Sequence, residues 1–467
     1  MAPDYDYDLV SIGSGPAGQR AAVQAAKLGR RAAVIEKRRC VGGVCIDTGT
    51  IPSKTIREAV LAYAGVGARG ERLPWARPAS RPTADQLLAG VDAIIGREIE
   101  VIEQQLSRND VALIQGEASF VDSHTLAIRT DAGVSRITAR HVVIAVGTRP
   151  APTPGVEPDG QVVLNSDQII NLKKLPRALA VVGAGVIGIE YASMFAAVGV
   201  QVTLVERRDR PLEFLDREIV DELMHQLRQR NVTFRLGESV ESLAVTESAP
   251  PRAVLNLESG KQLVADAVLF SAGRLAATDS LNLEAAGLTA HDRGRLTVDD
   301  TFRTSVPHIF AAGDVIGYPS LAATSSEQGR LAACQAFGIE ARPMTRHFPI
   351  GIYAIPEISM VGPPEHELTA ARVPYETGVA RYREIARGHI LGDGSGFFKM
   401  LFHRKDRRLL AVHCLGTGAT ELVHVGQAVL GLGGGLDYFL ETVFNYPTLA
   451  ECYKAAAFNG LNKLSRA

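Results

Sequence analysis

The hydrophobic pattern along the chain changes period several times, and each change marks an element. Leu9 to Gly18 reads as an apolar strand running into a glycine cluster, followed by an alanine-rich helix to about Leu28 and a second strand, Ala32 to Ile35, ending at Glu36. Gly67 to Pro82, rich in Arg, Pro and Gly, reads as an exposed loop. Helical periodicity spans Gln86 to Leu106, and Asp110 to Ile137 reads as short strands with turns at Asp122-Ser123 and Asp131-Ala132-Gly133. His141 to Gly147 is a further apolar strand. The opening pattern then recurs as a strand at Ala178 to Val182 and a helix through Tyr191 and Phe195. Past His347 the pattern becomes strand, hairpin and helix. Phe397 to His403 and Leu409 to Leu415 flank a charged turn, Arg404 to Arg408, as adjacent antiparallel strands, and helices are predicted at about Thr420 to Leu432, Leu436 to Phe444 and Thr448 to Leu464. Strands alternating with helices place the chain in the α/β class.

The two strand-to-helix transitions carry the same chemistry. Gly13-Ser14-Gly15-Pro16-Ala17-Gly18 and Gly183-Ala184-Gly185-Val186-Ile187-Gly188 let the backbone approach a pyrophosphate held at the following helix amino terminus, and an acid at the end of the next strand can bind ribose hydroxyls. Glu36 stands 23 positions after Gly13, and Glu206 stands 23 after Gly183. One such glycine pattern is weak evidence, but two with matching offsets predict two dinucleotide-binding domains and two bound dinucleotides. Glu206 favours the free 2′-hydroxyl of NAD(H), whereas Arg207, Arg208 and Arg210 can attract the 2′-phosphate of NADP(H); side-chain direction decides between them.

Composition narrows the setting. At 467 residues the chain exceeds what one core usually serves, so two to four domains are expected. Fifty basic against fifty-one acidic side chains give no basic stripe for nucleic acid or anionic lipid. Five cysteines are too few and odd in number for a disulphide scaffold, and no apolar run reaches membrane-spanning length. The acidic start, Met1 to Asp8, lacks the basic and apolar regions of a signal peptide, so a cytoplasmic location is expected. No metal is expected either: His413 and His424 lack ligand partners at regular spacing and are assigned to packing.

The most specific stretch is Val41 to Lys54. Gly42-Gly43 bends the chain, Cys45 follows on a small-residue turn, and Pro52 can occupy the first turn of a helix continuing through Glu58 to about Val66. The layout puts one thiol just before a helix, where the dipole favours a thiolate or another electron-rich group. This stretch resembles the active-site segment of the pyridine nucleotide-disulphide oxidoreductases. The family carries two cysteines there, four residues apart, as a redox disulphide beside a flavin. Here Cys45 keeps the first position and Thr50 stands in the second. Spacing alone would also allow a bridge between Cys40 and Cys45, but in the family pattern Cys40 falls before the glycines, and two free thiols are expected.

The resemblance covers essentially the full chain. It implies two Rossmann-like dinucleotide-binding domains plus a C-terminal α+β dimerisation domain: residues 1–150 and 275–346 for FAD, 151–274 for NAD(P) and 347–467 for the subunit interface. One FAD per subunit is implied, with Gly147 in the crossing Ala145 to Pro150, Gly273 in the exit Leu269 to Arg274, and Asp314 closing Thr304 to Asp314 near the ribityl chain or pyrophosphate. It also implies that Glu190 pairs with Lys54 close to the flavin N5, where the lysine stabilises developing negative charge. A homodimer or higher homo-oligomer is implied, with two subunits building each active site.

A second departure accompanies Thr50. Disulphide-reducing relatives place a histidine just before the proline of Phe444-Asn445-Tyr446-Pro447 and a glutamate five residues after it; this chain has Tyr446 in the histidine position and keeps Glu451. A phenol titrates near pH ~10 and is a poor proton shuttle at neutral pH. Loss of both thiol partner and base, with every cofactor motif intact, resembles the transhydrogenase branch, in which hydride passes between NADPH and NAD+ through FAD. The alternatives are an NAD(P)H-dependent quinone or dye reductase of the same fold, and a flavin-binding subunit without catalysis.

Overall fold

The computed structural model describes residues 5–64, 81–153 and 155–464; the loop expected over Gly67 to Pro82 lies outside them except for its last two residues. The chain divides into two compact units. The first comprises Met1–Thr55, Ala89–Ala151 and Gly273–Thr345, and the second Ile56–Leu88, Pro152–Ala272 and Arg346–Ala467. Among the described residues no helix is long and apolar enough to cross a membrane.

In the first unit the parallel order is Ala112–Gln115, Ala32–Glu36, Tyr7–Ile12 and Gly133–Ile144, with Ile309–Ala311 pairing parallel on the far side of Gly133–Ile144. Alternate side chains feed two cores. Leu9, Val34 and Val143 pack on one face with the helix Pro16–Lys27, while Val10, Ile35 and Ile144 pack on the other. Burial on both faces explains why these strands read as continuous apolar runs. The helices Pro16–Lys27 and Ala322–Ala336 cross so closely that a Cβ at Gly329 would come within 2.0 Å of the Ala17 carbonyl oxygen.

Two sequence boundaries are corrected here. The expected separate strand at His141 to Gly147 is the second half of one 12-residue strand, Gly133–Ile144. Its first half pairs antiparallel with Thr125–Thr130 and its second half parallel with Tyr7–Ile12, so burial changes midway and imitates a break. The helix expected over Gln86 to Leu106 is two, Ala84–Leu88 and Val91–Ser107, parted at Ala89-Gly90 where the chain passes between units. Gly90 is a weak helix former at that break, while the longer helix accommodates a second glycine, Gly96.

The second unit holds a parallel sheet in the order Thr233–Leu236, Gln201–Glu206, Ala178–Val182, Ala267–Phe270 and Val163–Asn165. It also holds an antiparallel five-stranded sheet in the order Ile350–Ile352, Ile358–Val361, Leu409–Leu415, Phe397–His403 and Tyr375–Arg381. The helices Ala419–Gly431, Leu436–Glu441 and Glu451–Leu464 share a core with this sheet, centred on Tyr453. Its ring lies 4.5 Å from Phe398 and 4.9 Å from Phe439, and its buried hydroxyl donates to the Leu422 carbonyl and accepts from the Gly426 N–H, both at 2.8 Å. The last two helices are shorter than expected: Thr442 to Phe444 leave the helix, and the final one starts only at Glu451, after Pro447. His413 is buried as expected, but His424 is exposed, with Nδ1 against Gln427, and takes no part in the core.

Candidate functional site

The first glycine cluster shows why these residues are glycines. Gly13 has φ +102°, and a Cβ there would meet the Ala145 carbonyl oxygen at 2.5 Å; a Cβ on Gly18 would meet the Gly13 carbonyl oxygen at 1.9 Å. Gly15 differs, since a Cβ would meet nothing within 4 Å and would project instead into open space before the helix Pro16–Lys27. That helix has no side-chain cap, so its first N–H groups remain available to an anion. The second cluster repeats the geometry. Gly183 has φ +101° with Ser271 carbonyl oxygen 2.7 Å from an added Cβ, Gly188 would strike Gly183 at 1.9 Å, and Gly185 again faces open space before the uncapped helix Val186–Ala197.

Both acids close their loops in the same way. Glu36 accepts from the Ser14 N–H at 2.9 Å, the Ser14 hydroxyl at 2.6 Å and the Arg38 N–H at 2.8 Å. Glu206 accepts from the Ala184 N–H at 2.7 Å, the Arg208 N–H at 3.0 Å and the Arg208 Nε at 3.0 Å. Burial alone would raise the Glu206 carboxyl, but the Arg208 side-chain and backbone bonds outweigh it and hold the group below the usual range. Of the three arginines near Glu206 in sequence, Arg207 is exposed and Arg210 pairs with Asp221 at 2.6 Å.

In the first unit a cleft of about 1240 Å³, counting its open mouth, is lined by Gly15, Glu36, Cys45, Thr50, Gly147 and Asp314, so these sequence-predicted residues converge, whereas Gly18, Lys54 and Gly273 do not line it. Its volume, glycine-rich lining and buried acid Glu36 fit a dinucleotide such as FAD. Gly147 has φ +64°, and the adjoining Thr148 hydroxyl accepts from Arg274 Nε at 2.9 Å. Burial raises the Asp314 carboxyl, against the pull of Arg274 and a hydrogen bond with Thr148. Gly273 has φ +121°, and a Cβ there would strike the Arg293 guanidinium at 2.5 Å. The sequence reading passed over Thr148, Arg274 and Ser14 as functional groups. Ser14 stands between two motif glycines, and Thr148 and Arg274 each follow a glycine directly, which was the available signal.

Cys45 lies inside a one-turn helix, Gly43–Asp47, rather than on a turn, and Thr50 opens the next helix, Thr50–Ala64. The two residues line the same cleft, and Thr50 pulls the Cys45 thiol pKa down. Burial pushes the Cys45 thiol up more strongly than Thr50 and Lys54 pull it down, which corrects the expectation that a helix dipole would favour the thiolate here. Cys40 and Cys45 are both free. Lys54 Nζ is 3.2 Å from the Ser53 hydroxyl.

The second unit contributes Glu190, Tyr446 and Glu451. Glu190 is buried in the second turn of Val186–Ala197 and accepts from the Tyr353 N–H at 2.9 Å. Tyr446 is 70% exposed. Glu451 turns back to accept from the Thr448 N–H at 3.3 Å, capping its own helix. Val443, three residues before Tyr446, is 90% exposed.

Comparison with known proteins agrees with this geometry. Residues 7–329 match the model of the pyridine nucleotide-disulphide oxidoreductases, and residues 348–457 match that family's dimerisation domain. The chain is 52% identical over 461 residues to a soluble pyridine nucleotide transhydrogenase of Mycobacterium tuberculosis, covering 98% of each chain. It is 44% identical over 470 residues to one from Marinobacter nauticus, covering 99% of each. Among solved structures, LpdA from Mycobacterium tuberculosis superposes with a TM-score of 0.88 at 27% identity, covering 96% of this chain and 99% of that one. The HOCl-induced flavoprotein disulfide reductase RclA from Escherichia coli gives 0.87 at 27%, covering 97% and 99%. Two glycine cradles, an acid closing each, and matches along nearly the whole length lead to one statement: the chain belongs to the pyridine nucleotide-disulphide oxidoreductase family.

Proposed function

We propose that this chain is a transhydrogenase that passes hydride between NADPH and NAD+ through FAD and uses no redox disulphide. The observation that carries the reading is that a thiol and a hydroxyl, Cys45 and Thr50, line the cleft together in a family whose chemistry elsewhere runs through a disulphide at that place. A hydroxyl cannot exchange with thiols, and the retained thiol is held protonated by burial. The family assignment and the transhydrogenase relatives support the same conclusion.

FAD, when bound, supplies the two-electron carrier. The residues around it would bind and tune. Gly13, Gly15 and Gly18 admit the pyrophosphate to the helix amino terminus, Glu36 orients the adenosine ribose, Gly147 lets the backbone pass the ring, and Asp314 accepts from a hydroxyl of the ribityl chain. Gly183, Gly185, Gly188 and Glu206 would hold NAD(H) and NADP(H) in turn, with Gly273 at the return to the flavin domain; the exposed Arg207 would take no part in the contacts. Lys54 would place an ammonium where negative charge builds up on the ring. Cys45 would serve as packing beside the ring. We assign residues 1–150 and 275–346 to FAD, 151–274 to NAD(P) and 347–467 to the interface of a cytoplasmic homodimer, in which Tyr446 and Glu451 of one subunit approach the flavin of the other.

The test is NADPH-driven reduction of thio-NAD+ by the FAD-loaded protein, run beside a quinone. Rapid transfer with ping-pong kinetics is expected. Fast quinone reduction without transfer between nucleotides would reassign the protein as a quinone reductase, and failure of NADPH to bleach the flavin anaerobically would remove it from the enzymes.

A further inference from the structure

The two nucleotide-binding copies share their backbone loop-closing hydrogen bonds and differ in the arginine that follows each acid. An arginine stands two positions after each acid, Arg38 after Glu36 and Arg208 after Glu206. In both copies its backbone N–H bonds the acid, at 2.8 Å and 3.0 Å. The side chains then part. Arg38 stays at the wall of the first cleft and pairs with Asp47 of the helix Gly43–Asp47. Arg208 folds back, with Nε 3.0 Å from Glu206 Oε1 and Nη2 3.4 Å from Oε2. The remaining nitrogen, Nη1, lies 3.6 Å from Glu213, a side chain 53% exposed.

We infer that Arg208 reads the 2′-phosphate of NADP(H) with the edge of its guanidinium that Glu206 leaves unused, and that the Glu206–Arg208 pair is what lets one site take both nucleotides. This deepens the transhydrogenase reading and rests on its premise that both nucleotides enter the second glycine site. Glu206 alone would repel a phosphate. With Arg208 held in two-point contact, a guanidinium that carries five N–H donors stands between carboxylate and phosphate and bonds both. The contact to Glu213 is long and solvent-exposed, so a phosphate displaces it at little cost. When NAD(H) binds, the ribose hydroxyl donates to a Glu206 whose charge Arg208 already balances, and no ion is left unpaired. Arg207 lies exposed at the place that Lys37 holds in the flavin copy, where Lys37 reaches away to Glu117 at 3.6 Å.

Isothermal titration of the FAD-loaded full-length protein with adenosine 2′,5′-bisphosphate and with AMP tests the assignment. Neither compound carries nicotinamide, so the result stands apart from whether NAD+ or a quinone proves to be the acceptor. Arg208→Gln is expected to weaken the bisphosphate by about 10- to 100-fold and AMP by less than about threefold. Arg207→Gln should leave both within about threefold, and Glu206→Gln should tighten the bisphosphate. Arg208→Lys keeps the charge without the fork, gives an intermediate loss, and replaces Arg208→Gln if that variant fails to retain its flavin. Equal weakening of both ligands by Arg208→Gln, no weakening of either, or a selective loss in Arg207→Gln instead, would each overturn the assignment.

Discussion

Thr50 lines the same cleft as Cys45 and pulls its thiol pKa down, where a second thiol would have closed a bridge. Dihydrolipoamide and glutathione disulphide should therefore not be turned over, because thiol exchange needs a second sulfur and Tyr446 stands in place of the base. In the other direction, Cys45→Ser should keep hydride exchange within about threefold of the natural protein, since the flavin carries both electrons. Steady-state assays with the dithiol and with the disulphide, and thio-NAD+ reduction by the serine variant after its flavin content is matched, decide the point. Loss of all transfer in a flavin-loaded variant would give Cys45 a role beyond packing.

The elements that were legible in the sequence are those whose chemistry is local. A glycine that must take φ near +100°, or that lies against a carbonyl oxygen, declares itself by residue type alone, and the acid 23 positions later follows from strand and helix lengths. The strand Gly133–Ile144 was misread because its pairing partner changes along its length, a property of the sheet and not of the strand. Direction was invisible as well. Arg207, Arg208 and Arg210 differ only in where their side chains point, and the structure sends one outward, one to Glu206 and one to Asp221. Nor did spacing reveal that Asp314 shares its surroundings with Thr148 and Arg274, which arrive from segments far apart in the chain.

The two cradles should fail independently. In Gly18→Ala the new methyl would have to sit 1.9 Å from the Gly13 carbonyl oxygen, and in Gly188→Ala the same distance from that of Gly183, so each loop must shift away from its helix. Gly18→Ala is expected to purify without FAD. Gly188→Ala should keep its flavin spectrum and lose nucleotide affinity by about tenfold or more, read by titration with AMP. A Gly188→Ala protein that binds AMP normally would show that the second loop is not the nucleotide site.

Lys399 supplies a stability test away from the chemistry. Its side chain is fully buried on the strand Phe397–His403, with Nζ 3.0 Å from Asp216, 2.7 Å from Glu218 and in contact with Glu365. Those three carboxylates could hold a cation were the ammonium not already among them. Lys399→Met should destabilise the protein by about 3–5 kcal/mol, because Asp216, also fully buried, would lose its counter-charge beside two other acids. Adding Asp216→Asn to Lys399→Met should recover part of that loss, and urea denaturation of the two variants measures it. A single variant as stable as the natural protein would mean that the carboxylates find water or protons without cost.

Acid should loosen the fold through its buried histidines before it protonates most carboxylates. Burial pushes both His141 and His413 down to about 4, and His413 is cross-strand neighbour to the Lys399 ammonium, which adds to the effect, while Asp216 opposes it. In the unfolded chain each titrates near ~6.5. A group whose pKa is depressed by folding contributes stability that is complete above the unfolded value and is lost as pH falls toward the folded one. The window is therefore from about pH 6.5 down to about 4, and His413 should account for roughly 2–3 kcal/mol of the loss across it. The urea midpoint should hold steady from about pH 8 to about 7 and fall below that, and in His413→Gln the slope below about pH 6.5 should flatten. An unchanged slope in a folded His413→Gln protein would place the acid sensitivity elsewhere, in the carboxylates around Lys399.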